Sequence, residues 1–211
     1  MNEKRFISEP VILEERASND GTKQDYITGY GIVFNQWSLP LTMEMQNGQR
    51  VQFVEKIDPK AIEGLNMDNA VSMVDHKFTL GKRNKGTMDI SIDERGVKYS
   101  VVVPKTTIGQ DAMENIKNGN LEGSSFQFSI PANGDYWDKT ITPYQRTITK
   151  FSSVTEMGPV TYPAYPDTTA AMRSLEETEK QVEDKEETEK IELEKRIAKL
   201  KRKYNYEKTK N

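Results

Sequence analysis

Short apolar runs separated by polar or glycine-containing turns dominate the first 175 residues and predict a body made mostly of β-strands. The clearest runs lie at 30–34, 51–57, 71–74, 89–92 and 97–103. The last two flank DERG at 93–96, which is typical of a hairpin turn, and Pro104 ends the second run. Weaker strand patterns at 147–149 and 153–156 complete a chain rich in β-structure.

A change of period marks two helical positions in this body. Apolar residues recur at helical spacing between 108 and 121, and Gly119 stands where a helix C-terminal cap is expected. Asp58 followed by Pro59 predicts a second helix start, because aspartate caps the first turn and proline fits its first position. We therefore expect a β-rich α+β body with a few short helices.

Strict alternation returns at 125–130, where it assigns side chains to opposite faces of a strand. Phe126, Phe128 and Ile130 share the apolar face, and Ser125, Gln127 and Ser129 share the polar face. Ser125 is therefore predicted to point away from the core.

The chain changes character beyond residue 174. Residues 176–194 hold ten acids and three lysines, and residues 195–211 hold eight bases and one acid. Several glutamates lie four residues before a lysine or arginine, a spacing that supports a helix. We predict a body at 1–174 and a charged tail at 175–211, helical or disordered, with Leu193, Ile197, Leu200 and Tyr204 forming at most a short apolar seam.

Composition narrows the functional classes. The net charge is −3 with no basic stripe, so nucleic acid is not an expected partner. The absence of cysteine excludes disulfides, thiolate zinc sites and a cysteine nucleophile. No apolar run approaches the roughly 18 residues of a membrane span, and the first residues do not resemble a secretory signal. An intracellular setting is the expectation, with no membrane partner.

Candidate chemistry centres on one histidine and a pair of serines. His76 is the only histidine, so an imidazole acting at neutral pH must be His76, at the end of the strand at 71–74. Ser124 and Ser125 follow Gly123, and small residues there permit a close approach of substrate. A purely structural role stays open for each feature. His76 would then be a structural histidine, and Ser124 and Ser125 would serve only to form a turn.

Six motifs occur in order along the body. They are GYGIVFN at 29–35, IDPKAI at 57–62, VDH at 74–76 with LGK at 80–82, DERGV at 93–97, GNLEGSSFQF at 119–128 and EMGPVTYPAYP at 156–166. Together they resemble the prohead protease family of tailed bacteriophages, over about residues 27–173. The resemblance implies a serine endopeptidase with the fold of herpesvirus assemblins, a closed or partly open β-barrel flanked by short helices.

The resemblance also implies roles for individual residues. Ser125 falls on the nucleophile and His76 on the general base, although the adjacent Ser124 keeps the nucleophile dependent on the alignment. Glu156 matches the acidic position and is preferred to Asp75 as the third member, because neighbours on a strand point to opposite faces. Backbone amides near Ser125 are expected to stabilise the oxyanion, with Arg146 as a candidate additional donor.

The same resemblance implies partners and a location. The expected substrates are the scaffolding region of the major capsid protein and the protease itself, inside an immature capsid in the host cytoplasm. A homodimer follows by analogy with the assemblins, and no cofactor or metal is expected. The hypothesis for the tail is that residues 175–211 help to package the enzyme with scaffold and are removed by self-cleavage.

Two other classes stay open. A non-catalytic virion or scaffold-binding protein could keep the same barrel, although histidine, serine and glutamate at the motif positions argue against it. A metal-dependent hydrolase fits poorly, because one histidine and no cysteine leave mainly oxygen ligands, which suit magnesium or calcium rather than zinc.

Overall fold

The structure is a computed structural model that describes residues 2–17, 21–45, 47–161, 175, 184–185, 187–197 and 199. The chain divides into two units, Met1–Met172 and Arg173–Asn211. The strands of the first unit are β1 (Glu3–Ile7), β2 (Ile12–Ala17), β3 (Lys23–Val33), β4 (Leu41–Glu44), β5 (Arg50–Ile57), β6 (Val71–Val74), β7 (Phe78–Lys82), β8 (Met88–Ile92), β9 (Gly96–Val102), β10 (Gly123–Ser129), β11 (Asp135–Asp138), β12 (Tyr144–Ile148) and β13 (Ser153–Val160). Among its described residues, the helices are α1 (Thr107–Lys117) and two 3-10 turns, Pro59–Ile62 and Arg83–Lys85.

The predicted helix and its C-terminal glycine are confirmed. Thr106 caps α1 by accepting a hydrogen bond from the Gly109 amide at 3.2 Å. Gly119 follows the helix with a φ of 72°, the left-handed conformation that a C-terminal glycine supplies. Asp58 likewise caps the 3-10 turn through the amide of Lys60 at 2.8 Å.

The described strands form three sheets and no closed barrel, so the closed form of the expected barrel is wrong, while the β-rich α+β class is confirmed. Sheet 1 has the order β1-β10-β13-β6-β7, sheet 2 the order β2-β3-β9-β8, and sheet 3 the order β11-β12-β5-β4. Among the described residues, sheets 2 and 3 meet in the single bridge Phe34–Ile57. The sheets do not close into a barrel at the seam between β1 of sheet 1 and β5 and β12 of sheet 3. Side-chain ion pairs connect the strands there, and no backbone hydrogen bonds pair them into one sheet.

An aromatic and aliphatic core holds the sheets together. Phe126 stacks on Phe128 with ring centroids 4.9 Å apart, and Phe151 meets both rings edge-on. Tyr99 of β9 and Met157 of β13 are fully buried in the same cluster. This core packs against one face of β10 and leaves its other face for polar chemistry.

In the second unit, the described residues 184–185, 187–197 and 199 are helical. Leu193 and Ile197, half of the predicted apolar seam, are 58% and 43% exposed, while Leu200 and Tyr204 lie outside the described residues. The seam therefore stays a prediction.

Candidate active site

Strand β10 places Ser125 between two neighbouring strands. Ser125 lies opposite Phe6 on β1 and opposite Gly158 on β13. The next residue, Phe126, lies opposite Met157, and both are fully buried in the core. The predicted alternation is confirmed, since Ser125 points to the face opposite Phe126.

The side chain of Ser124 is buried in the core. Its hydroxyl is hydrogen-bonded to the Tyr99 hydroxyl at 3.0 Å, and both side chains are fully buried. Burial raises the pKa of the Tyr99 phenol, although the bond to Ser124 opposes the rise, so the phenol stays protonated. A Cβ at Gly29 would lie 2.8 Å from the Ser124 oxygen, so this close pair needs glycine there.

His76 occupies a tight turn and not the strand end that the sequence predicted. The Lys77 amide donates to the Val74 carbonyl at 3.0 Å, and both central residues are left-handed, with φ of 49° at Asp75 and 58° at His76. This is the pattern of a turn that joins two hairpin strands. Left-handed conformations of residues other than glycine cost roughly 1–2 kcal/mol each, so neighbouring contacts must stabilise this turn.

The turn lies close to β13 because β6 runs beside that strand as its parallel neighbour. A Cβ at Gly158 would lie 2.0 Å from the Met73 carbonyl oxygen, so only glycine allows β6 to come this close. Pro159 fits in β13 because its carbonyl accepts from the Asp75 amide at 3.0 Å. Its nitrogen therefore also faces β6, and its missing N–H does not interrupt the ladder to β10.

Glu156 binds the imidazole of His76. Its Oε1 lies 2.6 Å from Nδ1, and each side chain is about 10% exposed. A neutral imidazole with its proton on Nδ1 donates to this carboxylate and keeps a lone pair on Nε2. The carboxylate of Asp75 binds Thr161 instead. Both residues 75 and 76 lie in the turn, so the strand argument that favoured Glu156 was wrong although its choice of partner agrees with the contact.

Two of the three predicted residues carry buried polar atoms that have no hydrogen-bond partner. Among the described residues, such atoms are the Ser125 hydroxyl, Nε2 of His76 and the Ser72 hydroxyl. Buried polar groups are almost always paired, and an unpaired one costs about 1–3 kcal/mol. The unpaired atoms of His76 and Ser125 therefore favour a chemical role for these two side chains over a purely structural one.

The register of sheet 1 places Ser125 and Glu156 on the same face. Ser125 is directly opposite Gly158, and Glu156 lies two residues before Gly158 on the same strand. Such diagonal neighbours are roughly 7–8 Å apart. An imidazole with a hydrogen bond at each nitrogen can span that separation, while the Met73 backbone fills the space directly over Gly158.

The groups that the sequence suggested as oxyanion donors already have other hydrogen-bond partners in this conformation. Ser124 and Ser125 lie inside β10, which is paired on both sides, so their amides are bonded within the sheet. Arg146 is fully buried and bound to Glu3, Glu55 and Asp135. Burial opposes the charge of Arg146, but Glu3 and the other carboxylates outweigh it and raise the pKa of the guanidinium. Arg146 is thus a structural cation.

A cleft of about 260 Å³ lies beyond β1. It separates residues 5–8 from the segment at 36–41 and the end of β5, and neither Ser125 nor His76 lines it. The cleft is therefore separate from the residues that carry the candidate chemistry.

Within the part of the chain that the structure describes, no group of three or more histidine, aspartate or glutamate side chains is arranged to hold a metal ion. Among the described residues, no helix combines the length and the apolar character needed to cross a membrane.

Known proteins resemble this chain in sequence and in fold. No curated protein matches the sequence. A solved structure of the capsid assembly protease of bacteriophage T4 is similar, with a TM-score of 0.49 and 12% identity, covering 77% of this chain and 98% of that one. The sequence profile of the caudovirus prohead serine proteases matches residues 12–181, most of the chain. The chain therefore belongs to the caudovirus prohead serine protease family.

Proposed function

We propose that this family member is an active serine endopeptidase with Ser125 as nucleophile, His76 as general base and Glu156 as the residue that orients His76. The observation that carries the proposal is the 2.6 Å bond between Nδ1 of His76 and Glu156, combined with the unpaired Nε2 and Ser125 hydroxyl. A base needs a free lone pair and a nucleophile needs a free hydroxyl, and both are present on one side of sheet 1.

The arrangement supports a two-step hydrolysis. The Ser125 oxygen attacks the peptide carbonyl while Nε2 of His76 takes the hydroxyl proton, and the Glu156 carboxylate stabilises the resulting imidazolium. His76 then returns the proton to the leaving amine as the C–N bond breaks. Water, deprotonated by His76, attacks the acyl-enzyme, and the carboxylic acid product leaves with Ser125 restored.

Substrate must open the site before this chemistry can start. The Ser125 hydroxyl and Nε2 of His76 are both shielded from water. Phe6 lies opposite Ser125, and its ring would lie 2.4 Å from a Cβ at Gly123, on the same face as Ser125. A shift of the half-buried Phe6 or of the turn at 74–77 would expose the hydroxyl and supply space for oxyanion donors.

The family assigns the class of protease, and the finer functions are proposed from it. The substrates are the scaffolding region of the major capsid protein and the protease itself, cut inside the prohead in the host cytoplasm. Removal of the charged tail at 175–211 would be one self-cleavage, and the enzyme would act as a homodimer. Mass spectrometry of the new termini that purified protein generates would test self-cleavage directly.

Labelling of the nucleophile tests the central proposal. A peptidyl phosphonate should modify Ser125, identified by peptide mapping, and Ser125→Ala should abolish both labelling and cleavage. Ser124→Ala is the matched control, since Ser124 binds Tyr99, and it should retain labelling. Modification of Ser124, or full cleavage by Ser125→Ala, would refute the assignment. A folded protein that neither labels nor cleaves would favour the non-catalytic scaffold-binding reading.

A further inference from the structure

Asp75 connects the turn that carries His76 to the end of β13. Its amide donates to the Pro159 carbonyl at 3.0 Å. Its carboxylate accepts from the Thr161 amide at 2.7 Å and from the Thr161 hydroxyl at 2.9 Å. Residue 75 therefore makes three hydrogen bonds to two residues of one short segment.

These bonds act on a turn that is otherwise strained. Asp75 and His76 both adopt left-handed backbone conformations, which aspartate tolerates better than histidine does. His76 binds Glu156, and Asp75 binds Pro159 through its amide and Thr161 through its carboxylate. Without the carboxylate, the turn would keep only the amide bond to Pro159 and the bond between His76 and Glu156 as contacts to β13, and the imidazole would be less firmly oriented.

We infer that Asp75 is a positioning residue, whose carboxylate holds Thr161 and thereby aims Nε2 of His76 at Ser125. Its catalytic consequence rests on the proposed function. Both carboxylate oxygens bind Thr161, so Asp75 acts through backbone geometry and not through its charge on the imidazole. A displacement of about 1 Å at a catalytic group can cost on the order of 100-fold in rate.

Paired variants separate geometry from charge. Asp75→Ala should lower kcat about 100-fold with KM little changed. Asp75→Asn should recover most of that loss, because asparagine accepts from the Thr161 amide, can donate to its hydroxyl and tolerates the left-handed backbone. Thr161→Val, which removes only the hydroxyl bond, should lower kcat less, and Thr161→Ser should match the parent. An Asp75→Asn variant as impaired as Asp75→Ala would overturn the inference.

A spectroscopic readout removes the dependence on activity. His76 is the only histidine, so the proton on its Nδ1 can be followed by NMR in full-length Ser125→Ala protein. Adding Asp75→Ala should broaden or remove the hydrogen-bonded Nδ1 proton signal, and adding Asp75→Asn should keep it. An unchanged signal in the Asp75→Ala protein would overturn the inference. Loss of the signal in a chain that cleaves no peptide would support it while the peptidase proposal fails.

Discussion

Two groups of buried polar side chains lie on sheet 1 and its seam with sheet 3, and they differ in how fully they are hydrogen-bonded. The ion cluster consists of Glu3, Arg5, Glu55, Asp135 and Arg146. Glu3 binds both arginines, Glu55 binds both as well, and Asp135 binds Arg146. The cluster joins β1 to β5, β11 and β12.

The candidate site has the opposite character. Glu156 fully engages one nitrogen of His76, yet the second nitrogen and the Ser125 hydroxyl are buried without partners. The ion cluster stabilises the fold by satisfying its charges, and the site keeps two reactive atoms free at a cost in stability. Incomplete pairing therefore distinguishes the candidate site from the ion cluster, although the Ser72 hydroxyl is unpaired as well.

Glu156→Gln should give the largest effect on activity. A glutamine amide can donate to Nδ1, which favours the tautomer with the proton on Nε2 and removes the base, so kcat should fall by about 10⁴-fold. The urea midpoint should change little. Peptide cleavage kinetics measure the loss, with Glu94→Gln, at an exposed carboxylate, as the control. Cleavage at the parental rate would remove Glu156 from the mechanism.

Arg146→Met should give the largest effect on stability. Three buried carboxylates lose a shared cation, and breaking such a buried network costs about 3–5 kcal/mol. Urea unfolding measures it, and Arg95→Met, which removes a surface pair with Glu9 and a contact with the Tyr30 ring, should change the midpoint little. Equal midpoints for the two variants would mean that the ion cluster is energetically neutral.

Acid should weaken the ion cluster. Burial opposes ionisation of Glu3, but hydrogen bonds and charges from Arg146 and Arg5 outweigh it and lower the pKa of Glu3 below its ordinary value of 4.5. The folded state then binds fewer protons than the unfolded chain, so this stabilisation is present above pH 4.5 and is lost as the pH falls through the lowered pKa.

Urea midpoints measured between neutral pH and acid test this sign. The parent should lose stability steeply below the ordinary glutamate pKa, and Glu3→Gln should be less stable at neutral pH but flatter in acid. Parallel curves for the two proteins would assign the acid sensitivity to other carboxylates.

Ser124→Ala should have the smallest effect. It leaves the Tyr99 hydroxyl buried without its partner, at a cost of about 1 kcal/mol, and should leave cleavage unchanged. Combining it with Tyr99→Phe should cost less than the two single changes together, because both partners are then removed. Urea unfolding of the parent and the three variants gives the free energies for this double-mutant cycle. Strictly additive changes in the free energy of unfolding would show that Ser124 and Tyr99 are not coupled.

Local pattern was sufficient for part of this structure. Alternation assigned Ser125 and Phe126 to opposite faces, and helical spacing with Gly119 located α1. The local pattern could not show that β1 pairs with β10. Glu3 and Arg5 are charged and therefore look like exposed residues in the sequence, and their burial depends on ion-pair partners far along the chain. The contact between Asp75 and Thr161 was missed for the same reason, since 86 residues separate them.

The position of β1 has a consequence for the order of events at the ribosome. Glu3 and Arg146 are 143 residues apart, and β1, β10 and β13 must all be present before the sheet around Ser125 can form. Non-local pairing of this kind folds late, after most of the polypeptide has been synthesised. A nascent chain therefore cannot cut its neighbours, and proteolytic competence begins only once translation has passed the last strand.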